Sequence, residues 1–426
     1  MEYDFLIIGA GLAGAHAAEI LGSAGHRIAL LEAADRVGGR GFTRAFGGGG
    51  KVLEFGGSWI TPWHRRMQEA CRRHGIDLVE TVPVRHRRWH DGTTLREDAP
   101  VSAAERSDYD RVIAQIAVDA KRIKAGRADD VAGRPLLGIS LAAYFQRHAV
   151  AAPTRAQLMS WWTVSGSGDP ASVSAGELLA SCGYVDGTPE SIMQVLTHTL
   201  SPGVTPLVER MIAASGADLH LGFPVVSIRR NDDSIVVTAR DGRILRAGAA
   251  IVALPVNTLG GIDFGNALTP QQAQVAARGH DGRAVKLWLR IAGVAPGVLA
   301  TGGGAGLQWL FTAFEDGAGH TLAVGFGLDD GTWHPDRRAD VVDTLQRLLP
   351  EAELIGWDWH DWCGDPWARG TWVGPPADIV DSFAHEVWQG GGRLAFATSD
   401  TAPEGAGWFE GAMSAGEAAA AAVLKS

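Results

Sequence analysis

The opening of the chain constrains its fold more than any other segment: a strand, a glycine turn, a helix and a second strand are complete by residue 32. Tyr3 to Ile8 is an apolar run of strand length. Gly9-Ala10-Gly11-Leu12-Ala13-Gly14 follows at once, then the alanine-rich stretch Ala15 to Ala24, stopped by Gly25, and then Arg27 to Leu31. A βαβ unit of this kind commits the chain to a parallel sheet. In that setting Gly9-x-Gly11-x-x-Gly14 has a physical meaning. Gly9 permits the tight turn, Gly11 lets the backbone approach a pyrophosphate, and Gly14 lets helix and strand pack closely. The helix N-terminus then offers free N–H groups and a positive dipole end to the anion. Glu32 closes the second strand, placed to accept hydrogen bonds from ribose hydroxyls and to disfavour a 2′-phosphate.

The rest of the chain narrows the class. Its 426 residues are too many for one simple core and predict two domains sharing an interface. A net charge of −10 argues against a general nucleic-acid or membrane-surface binder. No apolar stretch reaches the roughly 18 residues of a membrane span. The run Phe5-Leu6-Ile7-Ile8 meets glycines too soon to be a signal peptide. Cys71, Cys182 and Cys363 show no metal or redox spacing and predict free thiols in a reducing cytoplasm. There is no HExxH or Cys/His grouping, so no metal is expected, and no serine or cysteine nucleophile arrangement is supported.

Apolar strands of the nucleotide-binding kind recur at Ala249 to Ala253 and at Arg393 to Ala397. Between them, Ala103 to about Thr199 reads as mostly helical, interrupted by Pro153, Pro170 and Pro189. Trp59 to Gly75 also reads as helical, and Val79 to Leu95 as a hairpin turning at Asp91-Gly92. Val285 to Ile291, Gln308 to Ala313, Thr321 to Phe326 and Glu353 to Trp359 read as strands, and the glycines of 47–50 and 302–304 as loops. The economical architecture is α/β: a Rossmann-like, discontinuous nucleotide domain from residues 1–75, 205–283 and 378–426. The inserted substrate domain, a mixed β-sheet plus helices, takes 76–204 and 284–377.

A second glycine motif, Gly38-Gly39-Arg40, suits another approach to the same pyrophosphate, with Arg40 neutralising it. A simple NAD dehydrogenase does not need it. Gly56-Gly57-Ser58-Trp59 is a further close-backbone stretch. Together these segments resemble the extended nucleotide signature of the flavin-containing amine oxidase family, which implies FAD. The resemblance continues along the chain. Val285-Lys286-Leu287 resembles the family's strand carrying a lysine beside the flavin, which implies that Lys286 holds a water against N5. Phe396 to Thr401 and Gly407 to Ala412 resemble the closing flavin motif. They imply Asp400 near the ribityl or pyrophosphate, Phe409 among the cofactor contacts, and a terminal helix aimed at flavin N1 and O2. Val225 matches the segment whose backbone meets adenine. Trp372 and Trp408 match the pair of aromatic walls on the substrate face, and Thr371 stands where covalently flavinylated relatives carry cysteine; threonine cannot form that thioether, which implies non-covalent FAD.

Within the family the pattern is closest to the bacterial 6-hydroxynicotine oxidase branch. That branch carries asparagine where Ser165 falls and tyrosine where Phe311 falls. Both changes remove polar reach towards a hydroxypyridine ring, so hydroxynicotine itself is not the expected substrate. The resemblance implies hydride transfer from the α-carbon of a secondary or tertiary aryl or alicyclic amine. The resulting imine would hydrolyse, and oxygen would leave as hydrogen peroxide. The alternatives are an L-amino-acid oxidase, for which Arg85, Arg87 or Arg88 would have to meet a carboxylate, and a flavin amine dehydrogenase using another acceptor. Expected partners are the amine and oxygen, without nucleic acid or membrane, and a homodimer is the assembly to test.

Overall fold

The protein is described by a computed structural model covering residues 2–425, apart from 100–101, 125–126, 129–130, 132, 186 and 194–196. Tyr3–Ile8 pairs in parallel with Ile28–Leu31 on one side and Ile244–Val252 on the other, placing Leu6 between Ala29 and Ala250. Asp218–His220 extends the sheet past Ile28–Leu31, and Leu394–Phe396 joins Ile244–Val252 in parallel. Val225–Arg230 and Ile235–Ala239 complete it as antiparallel strands. The central stretches of the inner strands, 5–8, 28–31 and 247–252, are apolar throughout because both sheet faces are covered. On one face the helices Leu12–Ser23, Val204–Ser215 and Phe409–Val423 pack around Ile7, Leu30 and Ile251. The other face is closed by a second cluster that includes Leu6, Ala250 and Trp388.

A second seven-stranded sheet runs in the order Glu353–Trp359, Ala284–Ala292, Thr321–Leu328, Leu307–Glu315, Val298–Gly302, His86–His90, Leu95–Arg96. Its pairings are antiparallel except for Val298–Gly302 with His86–His90. Helix Arg338–Leu348 covers one face through Val341, Leu345 and Leu348. The opposite face carries Trp288, Trp309, Phe311 and Phe326, packed with Phe55 and near Trp372. Helices Ala103–Ala120, Leu141–Arg147, Ala152–Ser165 and Ala175–Val185 form a separate apolar cluster with Trp408 against it.

Pro153 and Pro189 mark breaks in the helical region by opening new helices, in the first turns of Ala152–Ser165 and Pro189–Met193. A fixed φ and a missing N–H suit a first turn. Other boundaries depart from the sequence reading. The stretch read as one hairpin is divided: His86–His90 turns back on Leu95–Arg96, while Asp77–Glu80 pairs with His198–Ser201 in a small sheet with Trp59–Ile60. The helix expected from Trp59 begins only at Arg65. Gly302, read as loop, is the last residue of a strand.

Candidate active site

A cavity of about 830 Å³ lies along the carboxyl ends of the parallel strands, with Gly9, Glu32 and Val225 at one end and Lys286, Trp372 and Trp408 at the other. Its first end is built by the opening βαβ unit. Helix Leu12–Ser23 starts at Gly11 without a side-chain cap, so its free N–H groups open on the cavity. Gly14 does not line the cavity: a Cβ there would lie 2.0 Å from the Gly9 carbonyl oxygen, so it serves the helix–strand contact. The Glu32 carboxylate accepts hydrogen bonds from the Ala10 N–H at 2.8 Å and the Ala34 N–H at 2.9 Å. Burial pushes its carboxyl above the ordinary range despite those donors.

Arg40 lines the middle of the cavity and is held from behind. Its guanidinium donates to the Thr371 carbonyl at 2.8 Å and to Ser399 Oγ at 3.1 Å, and pairs with Asp400 at 2.7 Å. Asp400 itself is fully enclosed, accepts the Val256 N–H at 3.0 Å, and acts on the cavity through Arg40 and its neighbour Ser399. Thr371 is buried, its hydroxyl engaged by Ser167 Oγ at 2.9 Å and by the Ala284 N–H at 3.1 Å.

At the far end Lys286 is buried in the middle of its strand. Its ammonium donates to the Gly56 carbonyl at 2.7 Å and to Ser58 Oγ. The ring of Trp59 lies 5.6 Å from Nζ. Gly57 is pressed on the ring of Phe409, where a Cβ would come within 2.4 Å. Trp372 packs edge-on to Phe326 and donates its Nε1–H to the Gly166 carbonyl. Trp408 precedes helix Phe409–Val423, whose first turn faces the cavity through Phe409 and Ala412, and rests on His64, 5.4 Å away.

Ser165 and Phe311 do not share that end equally. Ser165 lines the main cavity with its hydroxyl turned back to the Trp161 carbonyl at 3.1 Å. Phe311 lines a second cavity of about 780 Å³, which meets the first across Val164 and Ser165. Arg87 also lines this second space, while Arg88 pairs with Glu351 at 2.5 Å, and neither they nor Arg85 reach the main cavity. His360 packs against Trp362 and bonds Asp365, a structural arrangement. Cys71, Cys182 and Cys363 form no disulfide among the described residues. The described residues contain no group of side chains able to hold a metal and no helix long and apolar enough to cross a membrane.

Three residues outside the sequence reading belong to this constellation. Glu54 stands in the short strand Val52–Glu54, buried, ahead of Gly56. A carboxylate between Leu53 and Phe55 was the available signal. His64 is buried, and burial pulls its imidazole down to about 4, so it supports Trp408 as a neutral ring. Glu177 lines the main cavity from helix Ala175–Val185, its carboxyl pushed up to about 8 by burial and by the nearby Asp400 charge. In the sequence Glu177 looks like an ordinary first-turn acid, which hides it.

A βαβ nucleotide cradle joined to a buried lysine and aromatic walls defines a flavin oxidoreductase. The family model of flavin containing amine oxidoreductases matches residues 10–424, and the chain belongs to that family, with FAD as its cofactor. It is 30% identical to (S)-6-hydroxynicotine oxidase of Paenarthrobacter nicotinovorans across the full length of both chains. It is 26% identical to pseudooxynicotine dehydrogenase of a Pseudomonas species, over 98% of this chain and 85% of that one. The solved structure of putrescine oxidase bound to putrescine superposes with a TM-score of 0.88 at 23% identity, covering 100% of each chain, which establishes the shared fold. The residues present fit FAD: an uncapped helix N-terminus, an acid beyond the second strand and an arginine midway along one continuous cavity.

Proposed function

We propose that this protein oxidises a secondary or tertiary amine borne on an aryl or alicyclic group, with oxygen as electron acceptor. The observation that carries the reading is the convergence of buried Lys286 with Trp372 and Trp408 at one end of the nucleotide cavity. Bound there, FAD supplies at N5 a two-electron acceptor for hydride from the amine's α-carbon, and oxygen takes the electrons as hydrogen peroxide. The chain's own residues hold and orient. Gly9, Gly11, Glu32, Arg40, Gly57, Ser58, Trp59, Val225 and Phe409 line the cofactor's course, with Gly14 and Asp400 supporting them from behind. Trp372 and Trp408 flank a neutral amine, turn its α-C–H towards the acceptor and exclude water. Lys286 holds the water or oxygen at that point. The iminium product hydrolyses after release.

The segments 1–75, 205–283 and 378–426 form the cofactor domain in this reading, and 76–204 with 284–377 the substrate domain. Thr371 cannot form a thioether, and its hydroxyl is already engaged, so FAD is held without a covalent bond. Three cysteines that form no disulfide among the described residues accord with a cytoplasmic setting. Ser165, which lines the main cavity with its hydroxyl turned back on its own helix, offers little polar reach towards a hydroxypyridine. The test is turnover in air with secondary and tertiary arylalkyl amines. One peroxide per oxygen consumed supports the oxidase. Amine oxidation that needs an added electron acceptor overturns the choice of oxygen.

A further inference from the structure

Glu54 and Lys286 are two buried ionisable groups brought together by adjacent backbone crossings. Lys286 donates to the Gly56 carbonyl, and Trp288, two residues on and on the same strand face, donates its Nε1–H to the Glu54 carbonyl at 2.8 Å. The strand of Lys286 is therefore tied twice to the segment that carries Glu54. The Glu54 carboxylate is fixed on one side only. Its Oε1 accepts the Val204 N–H at 2.8 Å and the Thr43 hydroxyl at 2.9 Å. Its Oε2 is buried without a hydrogen-bond partner among the described residues. An orphaned carboxylate oxygen is costly unless a charge or a proton compensates it. The charge of Lys286 acts to lower the Glu54 carboxyl, and that of Glu54 acts to raise the Lys286 ammonium, each against burial.

We propose that Glu54 is the positioning residue that sets the charge of Lys286, the two groups sharing a single proton. The pair is either a carboxylate with an ammonium or a carboxylic acid with an amine, and in both forms it is neutral overall. A charge on either group alone would be exposed to the full desolvation penalty. Burial pushes the carboxyl up and the ammonium down. One proton held by either group thus leaves no net charge in the core. The functional side of this inference rests on Lys286 standing at the reacting end, where oxygen takes up two protons for each peroxide formed.

The chain has five lysines, Lys51, Lys121, Lys124, Lys286 and Lys425, so holoenzyme labelled with ε-13C lysine gives a spectrum simple enough to read. Lys286→Met assigns the resonance by its loss. In Glu54→Gln the Lys286 midpoint is expected to fall by about one pH unit or more, a tenfold weaker hold on the proton. Thr43→Val leaves the carboxylate in place but removes one of its donors. It is expected to move the midpoint in the same direction by less, and it serves if the glutamine variant does not fold. An unchanged Lys286 midpoint in a folded variant overturns the proposal. The role of Lys286 in oxygen reduction is read separately: if Lys286→Met reoxidises in air as fast as the wild type, that role fails while the coupling to Glu54 stands or falls on the titration.

Discussion

Arg40 and Asp400 meet at 2.7 Å, and the Asp400 carboxylate is wholly enclosed while the guanidinium reaches the cavity. Burial acts to raise the Asp400 carboxyl, but the charge of Arg40, with His280 and the Val256 N–H, outweighs it and leaves the group below its ordinary value. A lowered folded-state value contributes stability above the unfolded value and loses it as pH falls through the folded one. Asp400→Asn leaves Arg40 without its counter-charge. It should cost roughly 3 kcal/mol in denaturant unfolding of cofactor-stripped protein at neutral pH. The difference from wild type should shrink under acid, and FAD affinity should fall at least about tenfold.

Gly11 and Gly14 separate cofactor binding from folding. A Cβ on Gly11 would find its nearest neighbour at 3.8 Å, whereas one on Gly14 would strike the Gly9 carbonyl oxygen at 2.0 Å. Gly11→Ala should therefore leave the melting temperature of the stripped protein nearly unchanged while weakening FAD retention. Gly14→Ala should destabilise the stripped protein itself by several kcal/mol, the order expected of a backbone clash. Differential scanning fluorimetry with and without FAD distinguishes the two.

Glu177 gives a pH dependence of opposite sign to that of Asp400. Its carboxyl is raised from an ordinary 4.5 to about 8, so between those values the folded chain holds a proton that the unfolded chain lacks. Stability from this group is present at low pH and lost as pH rises through that window. Glu177→Gln removes the loss. Its melting temperature relative to wild type should climb between pH 5 and pH 8, and a flat difference would contradict a raised Glu177 carboxyl.

These residues show what the sequence disclosed and what it withheld. Glycines at 9, 11 and 14 behind a short apolar run can be satisfied in few ways, so the first βαβ unit and the buried strands near residues 250 and 395 were legible. Lys286 was legible through the resemblance of Val285-Lys286-Leu287 to the family's lysine-bearing strand, and its burial there is costly enough to need a cause. The helical region between Ala103 and Thr199 was read only in outline, because its boundaries follow packing around the cavity and not a strong amphipathic repeat. The strand Val298–Gly302 was missed because it runs into a glycine cluster. Asp400 carried the right motif, but its grip on Arg40 spans 360 positions and no local pattern encodes it.

Thr371 bears on how the cofactor is retained. Its hydroxyl is occupied by Ser167 and the Ala284 N–H, and Cys363, the nearest cysteine in sequence, is half-buried elsewhere. Acid or heat denaturation should release essentially all flavin into the supernatant. Yellow colour remaining with the precipitated chain would contradict non-covalent binding.

The pH profile of amine oxidation follows from the need for a neutral amine. With substrate saturating and reduction rate-limiting, the rate should rise through the bound amine's pKa, and a flat profile from about pH 6 to 10 would contradict hydride release from the free base.

The most direct test of the central claim is anaerobic spectroscopy of the purified holoprotein as amines are added, followed by air. Secondary or tertiary arylalkyl or alicyclic amines should bleach the flavin band near ~450 nm, an absorbance set by the cofactor, and air should restore it rapidly with formation of peroxide. Bleaching by L-amino acids alone, or by none of the amines, would contradict the account.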